Sequence, residues 1–242
     1  MIKLETVTII PFSHQISGTT PNIDGYSIVY GSSGLLKVAH AENWFPAGWD
    51  GVNFQIDVAH NHLGKMMLNH AAIKTKWSEA YKVALAKEWQ NIFIRPISET
   101  KEFPGQTFSL NNLYVWINKL KNTDYFIEND NDAIIGPVLN IGREWRIFII
   151  DGEQVTMCQY ANRGQSDRIA QCPEAVLNFL KQALKIYQPA SCFVVDVAEV
   201  FINNTIELKI IEFNSINSAG FYACGIDVIV DRLSKFAIKS FS

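Results

Sequence analysis

The sequence predicts an α+β fold built mostly from antiparallel sheets, on three observations. Strand-like and helix-like stretches alternate without the regular strand–helix–strand rhythm of a parallel sheet. Two pairs of apolar runs are separated by turn-formers, Asp151–Gly152 and Asn203–Asn204–Thr205, which is hairpin chemistry. A chain of 242 residues with 48% hydrophobic and 19% charged residues has enough apolar side chain for a packed core, which excludes disorder.

Residues 1–65 read as a small N-terminal lobe, because short apolar runs are broken by PFSH at 11–14, SGTTPN at 17–22 and YGSSG at 30–34. The texture changes at Gly64, and residues 66–242 read as a second unit. Ile73, Trp77, Tyr81, Ala84 and Glu88 recur at helical spacing, with lysines 74, 76, 82 and 87 opposite them, which predicts an amphipathic helix. A strand over 91–95 is stopped by Pro96. A helix starts from Ser109 as N-cap and carries Leu113, Trp116, Ile117 and Leu120 on its stripe. Strands follow at 132–135, 145–150 and 154–160, and Pro173 opens a helix whose stripe is Val176, Leu177, Leu180 and Leu184. Strands at 192–201 and 206–213 precede a last helix from about Gly225.

A net charge of −3 leaves no general basic footprint for nucleic acid. Cys158, Cys172, Cys192 and Cys224 form no C-x-x-C pair and read as reduced core thiols. The N-terminus lacks the pattern of a secretory signal, and no apolar run is long enough to cross a bilayer, so a cytoplasmic protein without membrane partners is expected.

Polar residues that interrupt apolar strands mark the chemistry. In CFVVDVAEVFINNTIELKIIEFNSINSAGFY (192–222), strand parity puts Glu212 and Asn214 on one face. A three-residue loop centred on Asn204 would place Asp196 directly opposite Glu212. Two facing carboxylates repel unless a cation lies between them, and an all-oxygen set suits Mg²⁺. The plainer alternative is a pair of solvent-facing acids. In IGREWRIFIIDGE (141–153), Arg146 shares a face with Glu144 and Phe148, so its partner is either Glu144 or a phosphate. In IFIRPISETKEFPGQTFS (92–109), Arg95 ends a strand. Lys101 precedes a glycine-containing loop whose N–H groups can meet phosphates.

Taken together, FIRP, KEFPGQ, AIIGPV, EWR, VVD and EFN resemble, in this order, the ATP-grasp superfamily over roughly residues 66–240. The sequence is most similar to a small bacterial and phage-type branch with arginine in place of the usual nucleotide-binding lysine. The resemblance implies a nucleotide cleft between two lobes. Asp196, Glu212 and Asn214 would be magnesium ligands, and Arg146 would contact the phosphoryl groups. Arg95 and Lys101 would hold the nucleotide, Gly136 and Val138 would bound a hinge at the adenine edge, and Glu144, beside Arg146, would join the nucleotide-binding residues. It further implies an ATP-dependent, ADP-forming carboxylate–amine or carboxylate–thiol ligase working through an acylphosphate, on small-molecule or peptide substrates. A non-catalytic nucleotide-binding relative and a kinase on the same fold remain open alternatives.

Other residues read as structural. His60, His62 and His70 lack a recognised zinc spacing, and GSSG at 31–34 reads as a loop without P-loop chemistry. Trp44, Phe45 and Trp49 read as packing residues. Arg163 and Arg168 fall in a polar loop that reads as solvated, with contact to a substrate carboxylate as the alternative.

Overall fold

Near-continuous apolar strands such as those over 147–150 and 193–195 require cover on both faces, and the architecture supplies it. The computed structural model describes residues 3–11, 13–98, 103–123 and 130–241. Among these, the order is β1 (Tyr26–Ile28), α1 (Ser33–Ala41), β2 (Phe45–Ala47), α2 (Ile56–Leu63), β3 (Ile73–Lys76), α3 (Ala80–Ala86), β4 (Asn91–Pro96), β5 (Gln106–Ser109), α4 (Leu110–Lys121), β6 (Asp132–Pro137), β7 (Ile141–Ile150), β8 (Glu153–Asn162), β9 (Gln165–Ile169), α5 (Glu174–Leu184), β10 (Cys192–Ile202), β11 (Thr205–Asn214) and α6 (Ile226–Phe241). The large sheet runs β11-β10-β7-β8-β9 and the smaller one β3-β6-β4-β5. Every strand pairing in both is antiparallel, whereas the short β1–β2 pair is parallel.

One face of the large sheet buries Trp145, Ile147, Ile149, Phe193, Val195, Val197, Ile210 and Phe213 against α2 and α5. Alternate residues, among them Phe148, Ile150, Cys158 and Val194, pack on the other face under α6. The smaller sheet has its own core around Trp77, Ile92, Ile94, Leu113 and Ile135.

Several local readings change. The helical spacing from Ile73 conceals a strand. Ile73–Lys76 alternates as β3 and pairs with β6, and a 3-10 turn at Trp77–Glu79 precedes the helix proper at Ala80. The pairing partner outweighs the periodicity. Ser32, read as part of a loop, caps α1 by accepting a hydrogen bond from the Leu35 N–H at 3.3 Å. Gln106–Ser109 and Gln165–Ile169, read as loops, are edge strands β5 and β9. Trp44 and Trp49 pack in cores, whereas Phe45 is exposed.

Asn217 ties the N-terminal segment to the end of β11. Its amide donates to the carbonyls of Val29 at 2.6 Å and Ala47 at 3.2 Å, and its Oδ1 accepts from the Trp49 N–H at 2.9 Å. Gly48 must lack a Cβ, because one built there would overlap the Asn217 side chain. Asn217→Ala takes the amide away from the Val29 carbonyl and the Trp49 N–H, while the Ala47 carbonyl keeps the Val29 N–H; it is expected to cost about 2 kcal/mol, read as a lower midpoint in denaturant titration. A change below a few tenths would show that solvent substitutes for the amide.

Candidate active site

Two tight turns and their compensating bulges aim the polar residues. The three hairpins of the large sheet each close on two residues with positive φ: Asp151 (54°) with Gly152 (76°), Arg163 (50°) with Gly164 (74°), and Asn203 (48°) with Asn204 (64°). The three-residue loop expected at Asn204 is therefore one residue shorter. Left uncorrected, such a turn would send Asp196 and Glu212 to opposite faces. A bulge restores the register: Val197 pairs with Ile210 but Asp196 with Glu212, leaving Ile211 as the extra residue. A second bulge, with Phe148 opposite Thr156 and Ile149 opposite Gln154, brings Cys158 opposite Arg146. Glu212, Asp196 and Arg146 thus occupy directly opposed positions on β11, β10 and β7.

Arg146 spans the row. Its Nε and Nη2 donate to the two oxygens of Asp196 at 2.9 and 2.7 Å, and its Nη1 donates to the Gly220 carbonyl at 3.1 Å. The side chains are 9% and 3% exposed, so the pair is buried. The sequence left Glu144 open as partner for Arg146, but Glu144 instead accepts from the Tyr160 hydroxyl at 2.8 Å. Burial alone would lower the Arg146 pKa; the charge and hydrogen bonds of Asp196 more than offset it and keep the guanidinium charged. Burial pushes the Glu144 carboxyl up, partly opposed by the Tyr160 hydrogen bond. The guanidinium lies 4.8 Å from the centre of the Tyr222 ring and 5.7 Å from that of Tyr160.

Arg95 reaches across from the smaller sheet. Its Nη2 lies 2.7 Å from Glu212 Oε2, while Asn214 Nδ2 donates to Glu212 Oε1 at 3.0 Å. Phe93, Arg95, Pro96, Gly105, Ile211 and Glu212 line a cleft between the sheets. The bulge accounts for two adjacent side chains, Ile211 and Glu212, both reaching that cleft. Gly105 passes so close to Phe93 and Arg95 that a Cβ would meet them at 3.3–3.4 Å. Lys101 lies outside the described residues. A second, largely apolar cleft is lined by residues including Leu68, Ala72, Gly136, Leu139 and Val200. Gly136 is part of it. Val138 is 43% exposed outside that lining, and its N–H donates to the Asn91 carbonyl.

The aromatic members Tyr160 and Tyr222 were missed in the sequence. Tyr222 falls in an aromatic pair after a glycine, a usable signal, whereas Tyr160 reaches this face through a bulge at the β7–β8 pairing. All four cysteines are free, as expected. Cys224 Sγ donates to Cys158 Sγ at 3.3 Å, and this hydrogen bond lowers the Cys158 thiol against the effect of its burial.

The three histidines do not converge. His62 stacks on Tyr187 with ring centres 4.5 Å apart, and no three His, Cys, Asp or Glu among the described residues form a group able to hold a metal. His60 is different: its Nε2 is buried without a hydrogen-bond partner among the described residues. Burial, followed by the charge of Arg95, lowers its pKa to about 4, against opposition from Asp57. Because folding depresses this pKa, the unfolded chain takes up a proton first as pH falls. The stabilisation is complete above about pH 6.5 and lost between there and about 4. Discounted for partial solvent screening, the effect is about 2 kcal/mol. Thermal melts of wild type and His60→Gln from pH 7 to 4 should converge by several degrees at the acid end; parallel curves would contradict a neutral His60.

No curated protein matches the chain. Among solved structures, it is similar to the D-alanine–D-alanine ligase of Coxiella burnetii, with 14% identity over 96% of this chain and 74% of that one, at a TM-score of 0.59. The VanG D-Ala:D-Ser ligase of Enterococcus faecalis gives 15%, 86%, 68% and 0.55 on the same measures. The ATP complex of the Bacillus anthracis D-alanine–D-alanine ligase gives 12%, 84%, 73% and 0.53. At such identities the likeness is one of fold. No helix among the described residues is long and apolar enough to cross a membrane. The family model of an ATP-grasp domain, family 2 of its clade, matches residues 71–230, and with two thirds of its length inside that match the chain belongs to the ATP-grasp family.

Proposed function

We propose that this chain is an ATP-dependent ligase that joins a carboxylate to an amine or thiol through an acylphosphate, using Mg-ATP. The observation that carries this reading is the buried row Glu212–Asp196–Arg146, closed by Arg95 from the opposite sheet across a cleft.

The donor set fits magnesium in its chemistry: two directly opposed carboxylates, Asp196 and Glu212, and the Asn214 amide offer hard oxygens only. Bound there, the cation would supply charge neutralisation for the β- and γ-phosphates. In the chain alone, Arg146 and Arg95 neutralise the two acids. With the acids engaged by the cation, the same guanidinium forks are available to phosphoryl oxygens. Lys101 would add a further positive charge. Gly136 and Val138 would border the adenine, and Glu144 would act by holding Tyr160 beside Arg146. The substrate carboxylate attacks the γ-phosphorus and releases ADP; the amine or thiol then attacks the acyl carbon and releases phosphate. The side chains position and neutralise, and the sheets exclude water.

ATP is expected to raise the melting temperature with Mg²⁺ far more than with EDTA, by about 2.7 kcal/mol of added stability at one hundred times Kd. Equal shifts would remove the metal site. Release of ADP with a panel of amino acids and dipeptides, followed by mass spectrometry of the products, tests ligation itself. A phosphorylated product that persists would instead identify a kinase.

A further inference from the structure

Each of the five strands of the large sheet contributes a side chain to one face: Glu212 from β11, Asp196 from β10, Arg146 from β7, Tyr160 from β8 and Arg168 from β9. The first three, with Arg95, are already paired. The far end is not balanced in the same way. Arg168 lies 5.4 Å from the centre of the Tyr222 ring and is exposed. No ion pair holds it among the described residues. Its neighbour Asp167 is turned away, accepting from Gln159 Nε2 at 2.7 Å.

Tyr222 holds this end together. Its ring stacks on Tyr160 at 4.9 Å and 13°, and meets Arg146 at 4.8 Å and Arg168 at 5.4 Å. No more than about 10 Å therefore separates the two guanidiniums. Its backbone adopts φ of 50°, which a bulky side chain rarely takes up and which the surrounding structure must enforce. A strained aromatic that seats two like charges is costly to maintain unless an anion joins them. Arg146 already has Asp196, so the unclaimed cation is Arg168.

We infer that Arg168, seated on Tyr222, binds a non-reacting carboxylate of the amine-bearing substrate. The inference rests on the ligase reading and names its substrate class: an amino acid or short peptide with a free carboxylate. An extended chain spans about 3.5 Å per residue. A segment of one to three residues therefore reaches from a phosphoryl group at Arg146 to Arg168.

The experiment compares wild type, Arg168→Gln, Tyr222→Phe and Tyr222→Leu. Glycine, alanine, glutamate and their dipeptides are each offered as free acid and as C-terminal amide. ADP release is measured, together with calorimetric binding of the same compounds in the presence of Mg-ADP. Wild type is expected to prefer free acids, and Arg168→Gln to raise KM for them about 10- to 100-fold with little change in kcat. Amides should be used equally by both proteins. Tyr222→Phe should keep the preference, and Tyr222→Leu should lose it. Equal use of acids and amides by wild type, or an unchanged preference in Arg168→Gln, overturns the subsite while leaving ligation standing. Arg168-dependent binding of free acids without ADP release removes ligation and keeps the subsite. Absence of any Arg168-dependent binding removes the subsite.

Discussion

Asp196→Asn and Glu212→Gln are each expected to abolish most turnover, a fall of about 100- to 1000-fold in ADP release. Opposed carboxylates viewed in isolation would repel, and neutralising one should then stabilise the chain. The tertiary structure reverses that expectation, because each acid already has an arginine partner: Asp196 has Arg146, and Glu212 has Arg95. Removing one charge leaves a buried guanidinium uncompensated, which costs about 3 kcal/mol or somewhat more. Melts without metal should therefore shift down by roughly 6–12 °C. Near wild-type ADP release in both variants would dismiss them as ligands. Retained activity with a lowered melting temperature would reduce the row to a structural ion pair.

Arg146→Lys keeps the charge and is still expected to lower kcat by about 100-fold. The guanidinium makes two parallel bonds to Asp196, a third to the Gly220 carbonyl, and a face contact with Tyr222. An ammonium offers a point charge on a flexible stem and cannot reproduce a planar fork. A purely structural role makes a different forecast. Replacing both partners, Arg146→Met with Asp196→Leu, exchanges the buried pair for apolar groups and should recover much of the stability lost in either single variant. Stability measured by denaturant and activity measured by ADP release should then part company in the double variant. Recovery of activity along with stability would overturn the catalytic role of Arg146.

The sequence by itself determined the antiparallel α+β class, most of the strands, the hairpin signals and the family. Apolar alternation and turn chemistry are local, and the residues that interrupt them, Asp196, Glu212, Asn214 and Arg146, stand out against a hydrophobic background. Where the family lies in the chain was equally legible, since EWR, VVD and EFN fall inside the matched span. The tertiary structure decided whatever depends on register and on partners distant in the chain. The β7–β8 and β10–β11 hairpins use two-residue turns that place side chains on the wrong face, and the extra residues Val155 and Ile211 correct this. A bulge carries no local signature because its cost is met by cross-strand packing. Ile73–Lys76 becomes a strand only because β6 lies beside it. The pairing of Arg146 with Asp196 rather than Glu144 follows the same logic. Parity allowed both, but β10 lies directly beside β7, while Tyr160 engages Glu144. Arg95 meets Glu212 because β4 and β11, more than a hundred residues apart in the chain, close on one cleft.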